Sequence, residues 1–165
     1  MLGIYLENRG SNEEISISLE EYLKVSNSAT VKAALSRCFD EIYELARADP
    51  QTGVKREITS NWQGVHDVDD ADVAKALGTF AVAVGSDTTV LAPGLLDGLR
   101  AQVSYKIYVC DYYNFDHLDM SLKDPVEGFP RTANNSARVL EEGGLARSFI
   151  ARGESPYVET WTQNL

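Results

Sequence analysis

The sequence predicts a strand-rich α+β domain, and three observations carry that prediction. Between Ala101 and Cys110 the residues Val103, Tyr105, Ile107 and Val109 alternate with Ser104, Lys106, Tyr108 and Cys110, the period of two that marks a half-buried strand. Shorter apolar runs at Ile15–Ile17 and Ala76–Val84 read as further strands. A single long amphipathic stretch, from about Ala29 to Ala48, reads as the main helix. The 165 residues suffice for one domain with a substantial core, so residues 1–165 are taken as a single unit.

In chain order, Ile4–Leu6 and Glu14–Ser18 are expected to pair as strands across a polar turn at Asn8–Asn12. Ser26, Asn27 and Ser28 supply N-cap candidates for the helix. Its apolar stripe is Val31, Ala34, Leu35, Cys38, Ile42, Leu45 and Ala46, and Asp49-Pro50 ends it. Val54–Trp62 is expected to form one strand. The acidic run from Asp67 to Asp72 beside His66 lacks the glycine and late glutamate of a calcium loop and reads as a solvated turn. Ala76–Val84 is a strand, restarted at Thr88–Leu91 after a turn at Gly85-Ser86-Asp87. Pro93–Gly98 returns the chain to the central strand. After a Pro- and Gly-bearing loop through Pro125, Gly128 and Pro130, a second helix is expected from about Asn134, carrying Leu145, Phe149 and Ile150 and closing at Gly153. Ser155–Leu165 reads as a tail anchored by Trp161.

The chain carries 15 Lys and Arg against 25 Asp and Glu, a net charge of −10. That balance disfavours nucleic acid as a partner, because phosphate binding needs clustered cations. It suits solubility, a metal ion or a cationic partner. No run of 18 apolar residues is present, and no basic segment followed by an apolar one opens the chain. Cys38 and Cys110 have no metal-ligand spacing and read as buried thiols.

The chemistry concentrates where the central strand is expected to end. Asp111 stands at its exit, and Tyr112, Tyr113, Asn114, Phe115, Asp116 and His117 follow. Large rings anchor such a loop while carboxylate and imidazole groups remain available for proton transfer or metal binding. Asp111 is alternatively a cap for the turn, the tyrosines packing anchors, and the Asp116-His117 pair an exposed turn.

The order of these features resembles the catalytic domain of the colicin M family and related C-terminal modules of bacterial polymorphic toxins. The resemblance runs through Tyr5-Leu6-Glu7-Asn8-Arg9-Gly10, the helix, Ile58-Thr59-Ser60, Ala76-Leu77-Gly78-Thr79-Phe80, the D-x-Y-x-F pattern of Asp111, Tyr113 and Phe115, and Gly144–Phe149. It implies a mixed β-rich domain, a partly open antiparallel barrel-like sheet with packed helices. It also implies an antibacterial effector that cleaves lipid II between the undecaprenyl chain and the pyrophosphate, in the periplasm of a rival bacterium, with Mg2+.

The roles carried over are catalytic for Asp111 and Tyr113. Asp116, His117 and Arg131 are candidate catalytic replacements, with Asn114, Tyr112 and Arg147 as substrate-binding groups and Asp111 and Asp116 as metal ligands. The chain departs from the family at Asn114, where a second carboxylate is expected, and at Met120 and Ser121, where a His-Arg pair is expected. An amide orients a group but takes no proton. Expected partners are a cognate immunity protein, a lipid-linked envelope substrate, and a larger toxin or secretion carrier. A non-enzymatic binding or membrane-perturbing module of the same fold, or an acidic accessory or immunity-type protein, is the alternative.

Overall fold

A computed structural model of the chain describes residues 14–18, 22, 25–66, 77, 79–94, 98–113, 139, 143 and 149–165; for Glu14, Tyr112 and Tyr113 it describes the backbone alone. Two long strands form the centre, β4 (Phe80–Leu91) and β5 (Arg100–Tyr113), paired antiparallel from Ala81↔Cys110 to Leu91↔Arg100. Each carries two short strands in tandem along its outer edge. β2 (Lys55–Thr59) and β3 (Gln63–Val65) lie along β4, and β6 (Phe149–Glu154) and β7 (Glu159–Asn164) lie along β5. β1 (Glu14–Ser16) adds to β6 in parallel. Among the described residues this makes a seven-stranded open sheet of order β1-β6-β5-β4-β2, with β3 on β4 and β7 on β5.

Both tandem breaks fall on the same row of the sheet, and a serine fills each. Val84 and Ile107 face each other across β4 and β5. On one side the Ser60 N–H donates to the Val84 carbonyl (2.9 Å) while the Ser60 Oγ accepts the Val84 N–H (3.0 Å). On the other, the Ser155 N–H donates to Ile107 O (2.8 Å) and the Ser155 Oγ accepts Ile107 N–H (3.1 Å). Each hydroxyl then donates onward, to Asn61 O and Tyr157 O respectively. A side chain thus stands in for the strand carbonyl that each break removes, leaving no orphaned backbone group on this row.

One face of the sheet carries the core. Phe80, Val82, Val84, Thr88 and Val90 of β4 and Ala101, Val103, Tyr105 and Val109 of β5 are buried there. The helix α1 (Ala29–Ala48) packs on this face over β2, β3 and β4 through Val31, Ala34, Leu35, Cys38, Ile42, Tyr43 and Ala46. Ser28 makes no side-chain cap bond to the helix, and the first turn holds no acidic residue. Packing therefore holds α1: each buried Val, Leu or Ile contributes about 1.5–3 kcal/mol, against about 1 kcal/mol for a cap.

An aromatic cluster ties α1 to β5 and β7. Phe39 meets Tyr105 edge to face at 4.8 Å and Trp161 at 5.1 Å. The Trp161 indole N–H donates to the Tyr43 hydroxyl. Tyr105 donates to the Glu159 carboxylate at 2.7 Å. Burial foremost, then the Glu159 carboxylate, pushes the Tyr105 phenol far above its ordinary range.

Several expectations need correction. β4 runs unbroken through Gly85-Ser86-Asp87: the Ser86 hydroxyl donates to Ile58 O (2.9 Å), and Asp87 is salt-bridged to Lys55 (2.8 Å). Long-range partners thereby satisfy the polar groups that suggested a turn. The segment expected as one strand, Val54–Trp62, ends at Thr59 and resumes as β3 after the Ser60 break. Phe149–Glu154 is strand rather than helix, because both β5 and β1 pair with it. The expected tail is β7, with Trp161 indeed its anchor. Leu45 is 43% exposed, and Tyr43 takes its place in the buried stripe. Cys38 is buried, Cys110 only partly, and both are free thiols. His66 is exposed as expected. Ile4–Leu6, the acidic run Asp67–Asp72 and Asn134–Ser148, apart from Val139 and Gly143, lie outside the described residues. No helix among the described residues is long and apolar enough to cross a membrane.

Candidate functional site

The central strand is longer than its alternation suggested, and this relocates Asp111. β5 continues to Tyr113, so Asp111 lies within the strand, opposite Ala151 of β6, and does not cap a turn. Being an odd-numbered residue of β5, it shares the core face with Val103, Tyr105 and Val109. It is 2% exposed, on a face where Val109, Phe149, Ala151 and Phe80 are also buried.

Its Oδ2 atom is buried and has no hydrogen-bond partner among the described residues. Burial alone pushes the carboxyl up to about 7, because an unpaired carboxylate in apolar surroundings forfeits its hydration and receives nothing in return. Near neutral pH the group is therefore poised between acid and base, the property a proton-transfer catalyst needs. Among the described residues no cation or donor pairs with the carboxylate.

The neighbouring candidates divide by position. Tyr112 and Tyr113 continue β5, in register with Ile150 and Phe149. Asn114, Asp116, His117, Arg131 and Arg147 lie outside the described residues. Among the described residues no group of three His, Cys, Asp or Glu is placed to hold a metal ion. Asp111 in its apolar setting supplies one carboxylate, whereas magnesium is held by six oxygens drawn from several groups. The described residues do not by themselves form a magnesium cage.

The opposite face of the sheet carries a feature that the sequence reading passed over. A shallow groove of about 260 Å³ is lined by Glu57, Thr59, Asp87, Ser104, Lys106 and Tyr108, among others. Its charges are largely paired, Lys55 with Asp87 at 2.8 Å and Lys106 with Glu154 at 2.6 Å. The polar half of the β5 alternation was the available signal, but the facing residues of β2 become neighbours only through the sheet register.

The Cys38 thiol is a poor nucleophile by its surroundings: burial foremost pushes it up, and its Sγ lies 3.9 Å from the Val82 carbonyl. Asp111 is thus the described group whose chemistry a purely structural role explains least. Comparison with family models, curated proteins and solved structures finds no match to this chain.

Proposed function

We propose that this chain is an antibacterial effector domain acting in the envelope of a rival bacterium, where it hydrolyses a lipid-linked pyrophosphate of the lipid II class, with Asp111 handling the proton. The observation that carries this reading is the buried, unpartnered Asp111 carboxyl, held near 7 on the central strand. Hydrolysis between the undecaprenyl chain and the pyrophosphate adds the elements of water across one bond. A carboxylate takes a proton from the attacking water, and the resulting acid returns one to the leaving oxygen. Asp111 is poised for both steps near neutral pH. The D-x-Y pattern of Asp111 and Tyr113 and the order of segments around it support the same reading, which includes the finer description of the sheet as a partly open barrel.

The reading includes a cognate immunity protein, a larger toxin or secretion carrier for delivery, and a magnesium ion, for which Asp116 would be a ligand and Asp111 one only in place of its proton-transfer role. Asp116, His117 and Arg131 would assist the chemistry, and Asn114, Tyr112 and Arg147 would contact the substrate. A specific observation favours a second reading: at 2% exposure the carboxyl meets a substrate only after its cover moves. A binding or membrane-perturbing module of the same fold needs no such opening.

Expression in a susceptible bacterium, in the cytoplasm or behind a periplasmic signal sequence, separates the two. The enzyme reading expects lysis from the periplasm only, lost on Asp111→Asn. Periplasmic lysis that survives Asp111→Asn supports the binding module, and killing from the cytoplasm alone overturns an envelope target.

A further inference from the structure

We propose that the open edge of β7 is a self-association surface, to which a second copy of this chain adds its own β7 antiparallel about a two-fold axis. All six residues from Glu159 to Asn164 are exposed. β5 occupies one side of the strand, and among the described residues no strand pairs with the other. The Leu165 N–H donates to Leu99 O at 2.9 Å, and the register continues through Ala101↔Gln163, Val103↔Trp161 and Tyr105↔Glu159. Backbone groups alternate in direction along a strand, so Glu159, Trp161 and Gln163 turn theirs toward β5. Thr160, Thr162 and Asn164 accordingly present N–H and C=O groups to the open side.

Edges of this kind are commonly blocked by proline, lysine or a bulge, and β7 has none of these. Its one charged residue, Glu159, is occupied in accepting the Tyr105 hydroxyl. The sequence ETWTQN is also self-complementary. An axis through Thr162 pairs Thr162 with its own copy, Thr160 with Asn164, Trp161 with Gln163, and Glu159 with Leu165. No like-charged side chains then stand opposite one another, and a central Thr–Thr pair is favourable across strands. Trp161 (43% exposed), with Val158 (59%) and Tyr157 (75%) just before the strand, supplies apolar area beside the seam.

The net charge of −10 on each copy opposes association over longer range. Salt screens that repulsion, with a Debye length of about 8 Å at physiological ionic strength, without weakening the strand seam. Association should therefore tighten as salt is raised.

Sedimentation velocity across a concentration series at low and high salt tests this with the purified chain. The expected result is a monomer–dimer equilibrium that tightens with salt. Thr162→Pro, which removes an outward N–H from each copy, should weaken it at least about ten-fold with unchanged circular dichroism. Thr162→Lys, which sets like charges on the axis, should do the same. In a Cys110→Ser background Thr162→Cys should form a covalent dimer on mild oxidation, because Cα atoms of such a pair lie about 5.5 Å apart, within disulfide reach. Thr52→Cys, exposed at the other side of the sheet, should not. A monomer under every condition, a dimer indifferent to both Thr162 variants, a dimer loosened by salt, or equal cross-linking from Thr52 would each overturn the proposal.

Discussion

Asp111→Asn should stabilise this protein at pH 8 and change it little at pH 4. The native carboxyl is raised from an ordinary 3.8 to about 7 by burial, so between those values the folded chain holds a proton that the unfolded chain has released. Stability then falls as pH rises, because the unfolded state binds fewer protons. The loss begins near the unfolded value and is complete above the folded one. A shift of about three units at about 1.4 kcal/mol each amounts to roughly 4 kcal/mol at pH 8. Asparagine has nearly the same shape and never ionises, so the variant escapes that cost. For a chain of this length the difference corresponds to a rise in Tm of roughly 8–16 °C. Urea denaturation of both proteins at intervals from pH 4 to 8 measures it, with equal m-values confirming a shared unfolding transition. A gap between the two that stays constant across this range, or a wild type that is the more stable at pH 8, would refute the reasoning, since either requires the ionised carboxylate to have a partner in the fold.

Other expectations follow from the strand breaks and the packing. Ser60→Ala and Ser155→Ala each orphan a strand N–H, of Val84 and Ile107 respectively, and should cost about 1–3 kcal/mol apiece in chemical denaturation. The two serines sit at opposite edges of one row, so the double variant should show a nearly additive loss. Gly153→Ala should destabilise by about 1–3 kcal/mol, because the new Cβ would meet the Ile17 Cβ at 3.0 Å, an atom fixed to the backbone. Its thermal midpoint should fall, and Ile17→Gly, which removes that Cβ, should cost less in the Gly153→Ala background than in the wild type. Tyr43→Phe should cost about 1 kcal/mol by removing the acceptor of the Trp161 indole N–H, and Trp161 fluorescence should report the change.

How far the sequence revealed the fold depended on whether the signal was local. The helix from Ala29 to Ala48 was legible to the residue, because its stripe repeats at 3.6 over five turns and Asp49-Pro50 stops it. The alternation of β5 was equally clear, and its core-facing residues are those the period of two selects. Ser60 and Ser155 were not legible, since a serine that bridges two tandem strands looks like any loop serine until the facing strand is known. Gly85-Ser86-Asp87 carries turn composition but is held extended by pairing with β2 and β5 and by the contacts of Ser86 with Ile58 and of Asp87 with Lys55. The apolar spacing of Leu145, Phe149 and Ile150 fits a helix. Pairing with β5 and β1 decides otherwise for Phe149 and Ile150, an instance of tertiary context overriding local preference.

Asp111 was legible as a candidate but not in its character. Extending the strand three residues beyond Cys110, to Tyr113, moves it from the turn to the core face. Its raised affinity for a proton follows from that placement and not from its sequence neighbours. The paired groups of the outer groove share the same difficulty, since Lys55 and Asp87, or Lys106 and Glu154, meet only through the register of the sheet.

The measurement that bears most directly on the central claim is hydrolysis of purified lipid II by the purified chain, beside an Asp111→Asn variant shown to be folded, with and without added magnesium. The account predicts release of the pyrophosphate-linked sugar by the wild type, rising with a group that titrates near 7, and a loss of at least about a hundred-fold in the variant. Equal turnover by the two proteins, or none by either at any pH from 5 to 9, would contradict it.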